Sequence, residues 1–128
     1  MDEYLTEQLR RLGTDYLDAY FLHALSKDRW EKLLSLGVID YLDQAKTEGK
    51  IRYTGFSFHD TYDAFHEIID SYDWDLCQIQ YNYLDEEYQA GLKGLKYASS
   101  QNVSVIVMEH YGGEDCYPTI CRIRQYQF

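Results

Sequence analysis

DYLDAYFLHAL, Asp15 to Leu25, is an apolar run that ends on a histidine. Upstream lies TEQLRRLGT, a polar helix-forming stretch closed by Gly13, and downstream SKDRWEKLL reads as a second helix starting. His23 therefore sits where a strand stops and a loop begins. A buried strand gains nothing from a terminal imidazole, so the rest of the chain has to explain it.

Outward from this strand, the element order is regular. A helix is predicted over Asp2 to Leu12, with Asp2 as N-cap. After the strand LDAYFLHA, a single long helix is predicted over Arg29 to Glu48, because Trp30, Leu33, Leu34, Val38, Tyr41, Leu42 and Ala45 recur at three- and four-residue spacing. Gly49 ends it. KIRYTGFSFH is a strand, rich in β-branched and aromatic residues. DTYDAFHEIIDSY reads as a helix capped by Asp60 with Ala64, Phe65, Ile68 and Ile69 on its apolar face. WDLCQIQYNYL is a strand, EEYQAGLKGLKYASSQ a helix, and VSVIVMEH a strand with an almost unbroken apolar run.

Helix and strand thus alternate with short connections, which implies parallel strands joined by crossover helices in an α/β fold. Two closures are open to such a chain: a doubly wound sheet, or part of a (β/α)8 TIM barrel. The polar residues favour the barrel, because His23, Ser57 with His59, Gln78 with Asn82, and Glu109 all fall at C-terminal strand ends, where barrel active sites are built. No GxGxxG or GxxxxGK[ST] is present to support a Rossmann or P-loop reading.

Composition narrows the function. The chain has 128 residues and a hydrophobic fraction of 45%, enough for one domain with a core. A net charge of -10 argues against nucleic acid and against anionic membrane surfaces as partners. The opening MDEYLTEQL is too acidic for a signal peptide, and no stretch approaches a membrane span. The expectation is a soluble, cytoplasmic protein. Cys77, Cys116 and Cys121 form no CxxC pair, and Cys77, inside an apolar strand, is expected to be a buried hydrophobe. A divalent metal held by His23, His59 and Glu109 finds no HxH or HExxH spacing to support it, so no metal site is expected. His66 reads as a solvated mid-helix residue and His59 as a helix-start or loop residue. Glu109 reads equally as a buried proton-transfer acid and as a plain loop carboxylate. Among the 14 tyrosines, Tyr16, Tyr20, Tyr53, Tyr62, Tyr72, Tyr81, Tyr83 and Tyr97 lie in or beside apolar runs and are expected in the core and rim.

LRRLGTDYLDAYFLHA, GKIRYTGFSFH, DLCQIQYNYL and VSVIVME, in that order and spacing, resemble the fourth to seventh strands of an aldo-keto reductase. The resemblance covers Tyr4 to Glu109. It implies a (β/α)8 barrel that binds NADPH or NADH and reduces a small carbonyl substrate by hydride transfer, with an Asp, Tyr, Lys and His catalytic set. Carried over, His23 matches the histidine that orients the substrate carbonyl. Ser57 and Gln78 match the residues that hydrogen-bond the nicotinamide carboxamide, and Phe58 stands where the family has an asparagine. Met108 takes the place of a tyrosine that stacks on the nicotinamide ring in many members.

The family's catalytic Asp, Tyr and Lys have no match here, nor does the loop that grips the adenosine phosphate. Resemblance ends at His110, where a tail over 110–128 begins, holding the one proline and two of the three cysteines. Arg122 and Arg124 against Asp115 also change the local charge. The expectation is therefore two segments: a partial reductase barrel over 1–109 and a divergent tail, as a truncated or frame-shifted reading frame would give. Weak or no cofactor binding and no activity are expected of the chain alone. Four strands cannot close a barrel, so apolar positions around Phe21, Ile79 and Ile106 are expected to be uncovered. They would be buried in a homo-oligomer, or under Ile120, Ile123, Tyr126 and Phe128 of the tail. A different class, a non-enzymatic protein-binding module on the same fold, is represented by the potassium-channel β subunits.

Overall fold

The computed structural model describes residues 2–83 and 85–108. Glu109 and the tail, with Cys116, Cys121 and the apolar residues named above, lie outside the described residues. Helix α1 (Asp2–Leu12) leads into β1 (Leu17–Leu25), followed by α2 (Lys27–Ser35), α3 (Val38–Thr47), β2 (Ile51–Phe58), α4 (Tyr62–Asp70), β3 (Leu76–Gln80), α5 (Gly91–Ser100) and β4 (Ser104–Met108). The strands form one sheet in the order β1-β2-β3-β4, and every neighbouring pair is parallel. This is the alternating parallel architecture the sequence predicts.

The period of two along each strand divides the sheet into two faces. Leu22, Phe56, Phe58, Cys77 and Ile79 are all buried and lie on the helix side of the sheet. There Phe56 meets Trp74 at 4.8 Å and Phe58 meets Phe65 at 5.2 Å. Ile79 thus belongs to the core, a correction to its placement on the uncovered face: it pairs in register with Phe58, one residue out of phase with Gln78. The opposite face, the open face, is only partly covered among the described residues. Tyr53 is 53% exposed and Ile106 46% exposed, while Phe21 is half-buried. Cys77 is fully buried, which pushes its thiol up to about 12 and leaves it inert near neutrality.

Several boundaries differ from the sequence reading for local reasons. The helix expected over Arg29 to Glu48 is two helices, because the backbone turns at Gly37 with φ 73°, a left-handed value that glycine adopts without steric cost. The turn lets Trp30 on α2 and Val38, Leu42 and Ala45 on α3 all reach the core. The cap of α4 is Thr61, whose Oγ1 accepts from the Ala64 amide, while Asp60 accepts from the Lys27 and Thr61 amides and ties two strand-end loops together. α5 starts only at Gly91 because Gln89 and Gly91 both have positive φ. A Cβ at Gly91 would stand 2.3 Å from the Glu86 carbonyl oxygen.

The tyrosines are rim residues rather than core. Of the eight, Tyr16, Tyr53 and Tyr83 are exposed and the others half-buried. His66 is not simply solvated: its ring stacks on Tyr97 at 4.1 Å and its Nδ1 lies 3.3 Å from Asp70. Tyr97 also donates to Asp70, and that bond raises its pKa to about 12.

At the N-terminal ends of the strands, Asp75 ties three elements. It accepts from Lys46 Nζ at 2.8 Å, from the Thr54 amide at 2.7 Å and from Thr54 Oγ1 at 3.0 Å. Burial raises the Asp75 pKa, but the bonds from Lys46 and Thr54 outweigh it, and the net shift is downward from 3.8. Its contribution to stability is therefore complete above that value and lost as pH falls through the lowered folded value. Asp75→Asn should destabilise the chain by about 1–3 kcal/mol in urea unfolding near neutral pH. It should also flatten the acid limb of stability against pH, and an unchanged limb would show that the clamp is idle.

Candidate functional site

The open face carries a row of polar side chains at the C-terminal strand ends, and β1 shows how the sequence puts them there. Leu22 pairs with Phe56 and Leu25 with Phe58, so three steps on β1 oppose two on β2. The extra residue is a β-bulge. Without it, strict alternation would send Leu22 and Leu25 to opposite faces. With it, Leu22 and Leu25 are both buried, and His23, between them, is exposed on the other side. Ala24 takes up the distortion with φ 51°. This is why the apolar run ends on a histidine: two leucines go to the core and the imidazole is turned away from it.

Ser57 faces the bulge. It is 6% exposed, its Oγ accepts from the Ala24 amide at 2.7 Å, and it lies 3.4 Å from His23 Nδ1. Since the hydroxyl accepts from Ala24, its own proton is free to point outward or toward Nδ1. Ser57 pairs in register with Gln78 on β3, and Gln78 pairs with Ile106 on β4. Gln78 Nε2 reaches Met108 Sδ at 3.4 Å. All four predicted site residues thus fall on the open face near its C-terminal edge, in two contacting pairs, His23 with Ser57 and Gln78 with Met108. Phe58 is elsewhere: fully buried among Phe56 and Phe65, it faces the helices. The open face therefore receives no polar group from that position.

His59 follows β2 as an exposed loop residue whose amide donates to the Leu25 carbonyl; its Nδ1 lies 3.5 Å from Gln89 Nε2. Asn82 is buried beyond β3, where its carbonyl accepts from the Asp85 amide at 3.0 Å. Tyr81 brings a phenol to the same end. Its amide donates to the Met108 carbonyl and its hydroxyl donates to Glu86 at 3.0 Å. Burial first, and then that carboxylate, raise its pKa. A phenol made less acidic and already bonded to a carboxylate is a poor proton donor. Among the described residues no cluster of three His, Cys, Asp or Glu side chains is arranged to hold a metal ion.

Sequence reasoning missed Ala24 and Arg29, whose Nη1 donates to the Ala24 carbonyl at 2.8 Å. Neither carries a motif, and the only local signal is a small residue next to the histidine. Removing the Ser57 hydroxyl should cost more than removing the imidazole. Ser57→Ala leaves the Ala24 amide without its acceptor and should destabilise by about 1–3 kcal/mol. His23→Ala, at an exposed position, should stay within about 0.5 kcal/mol of the parent. Urea unfolding of both checks the order, and equal effects would contradict it.

The model of the Aldo/keto reductase family matches residues 1–113. Among solved structures, an aldo-keto reductase of Bacillus halodurans in its holo form is 27% identical with a TM-score of 0.66, over 84% of this chain and 33% of its own. Its apo form is 22% identical with a TM-score of 0.71, over 98% of this chain and 47% of its own. A putative aldo-keto reductase of Pseudomonas aeruginosa is 22% identical with a TM-score of 0.69, over 90% of this chain and 43% of its own. The chain thus spans less than half the length of these structures. No curated protein matches it.

Proposed function

The chain belongs to the aldo-keto reductase family, and on that premise we propose that its strand-end face is part of an NADPH- or NADH-dependent carbonyl reductase site. The observation that carries the reading is the pairing of His23 with Ser57 and of Gln78 with Met108 on one face. A carboxamide needs one donor and one acceptor. Ser57 offers its hydroxyl proton, because its oxygen already accepts from Ala24, and Gln78 offers an amide carbonyl. These residue types fit the amide end of a nicotinamide, and Met108 offers a polarisable, apolar surface beside it. A reduced nicotinamide, when bound, supplies the hydride. His23 orients a small carbonyl substrate beside it by a hydrogen bond from its exposed ring.

These residues bind and orient; they do not supply the proton. Positioned proton donation contributes about a hundred- to ten-thousand-fold in rate, and Tyr81, with its raised pKa and its bond to Glu86, is unsuited to it. The chain alone should therefore show no appreciable oxidation of NADPH with 4-nitrobenzaldehyde. Turnover that His23→Ala abolishes would overturn this. Two net hydrogen bonds of about 0.5–1.5 kcal/mol each do not offset association costs of several kcal/mol, so NADPH should bind no better than millimolar. Micromolar binding by calorimetry would mean that other residues complete the site.

The same reading makes the chain a homo-oligomer. Tyr53 and Ile106 stand exposed on the open face, and beside β4 an open groove of about 480 Å³ is lined by Leu95, Val103, Val105 and Val107 among others. Exposed apolar surface of this kind marks an interface, and the outer edges of β1 and β4, unpaired among the described residues, invite another strand. Light scattering across a dilution series should give a mass above that of one chain. A strictly monomeric mass at every concentration would refute the oligomer.

A further inference from the structure

We propose that Arg29 is a positioning residue for His23, acting through the backbone of Ala24. At the bulge, the peptide groups of Ala24 leave the strand ladder, whose pairing runs from Leu22 straight to Leu25. Both are bonded instead by side chains. The Ala24 amide donates to Ser57 Oγ at 2.7 Å, and the Ala24 carbonyl accepts from Arg29 Nη1 at 2.8 Å. Ala24 sits at φ 51°, where an L-residue with a Cβ is disfavoured. The two bonds hold it there, and the guanidinium bond, being charge-assisted, is the stronger kind.

Arg29 acts from a fixed base. It stands in the first turn of α2, where the Ser26 carbonyl accepts from the Trp30 amide at 2.9 Å and Ser26 Oγ accepts from the Arg29 amide at 3.4 Å. Trp30 is 4% exposed and packs against Trp74 with ring centroids 5.6 Å apart. Asp60 accepts from the Lys27 amide and fixes the same turn from the other side. The core thus fixes the start of α2, α2 fixes Arg29, and Arg29 fixes the left-handed residue that turns His23 toward Ser57. Its meaning for catalysis rests on the reading of His23 given above. The positional claim does not, so it is tested without substrate or cofactor.

The test is amide hydrogen exchange with nitrogen-detected spectra of the His23 ring, in the full chain. Arg29→Met should speed exchange at the Ala24 amide about two- to tenfold, the scale expected for loss of one solvent-exposed charge-assisted bond. The His23 ring signals should move toward those of an unstructured histidine, while Ile79 in the sheet interior stays protected. Ala24→Gly removes the Cβ that disfavours the left-handed backbone, so in that background Arg29→Met should change exchange at residue 24 much less. Should Arg29→Met unfold the chain, Arg29→Gln takes its place: faster exchange at Ala24 with Ile79 still protected supports the assignment. Unchanged Ala24 exchange and unmoved His23 signals in a folded Arg29 variant would overturn it. So would an Arg29 effect of the same size with and without Ala24→Gly. Failure of carbonyl reduction in a completed barrel, with these signals behaving as stated, would instead count against the functional reading alone.

Discussion

Parallel pairing in register is the constraint from which the rest follows. Because Ser57 stands opposite Gln78, and Gln78 opposite Ile106, one strand end fixes the height of the next. Parallel strands also present all their C-terminal ends at one edge of the sheet, so side chains far apart in sequence converge there without any loop having to carry them. At β1 the ladder requires one further device, the bulge at Ala24, which keeps Leu22 and Leu25 in the core while turning His23 outward.

The two ends of the strands do different work. At the N-terminal end, Asp75 gathers Lys46 and Thr54 in a half-buried cluster whose job is cohesion. At the C-terminal end, the polar groups are incompletely used by the fold: His23 is exposed, and Ser57 keeps a proton after accepting from Ala24. Polar groups left partly unused at the C-terminal edge, and a bonded cluster at Asp75 near the other, fit the division of a parallel α/β barrel into a mouth and a base.

Much of this was legible in the sequence, and the parts that were not have physical reasons. The alternation of apolar runs with amphipathic helical stretches gives the strands and their parallel order, whereas Ser57, Gln78 and Met108 as site residues come from the family resemblance. The break between α2 and α3 was hidden since Val38, Leu42 and Ala45 continue the same three- and four-residue spacing across Gly37. The face of Ile79 is not legible in the sequence because an apolar run does not reveal the phase of its alternation; only pairing with Phe58 fixes it. The bulge leaves no mark beyond the small residue beside His23. A left-handed alanine is stabilised by Ser57 and Arg29, which are distant in sequence or bland in motif, and no local pattern announces it.

The most direct test of the account is a chemical-shift map of the chain with reduced nicotinamide mononucleotide at high concentration, a probe that carries the carboxamide without the adenosine phosphate. The account predicts shifts that centre on Ala24, Ser57 and Gln78 and extend to Met108. Shifts centred instead on the groove between α4 and α5, at Tyr62, Lys93 and Lys96, would contradict it.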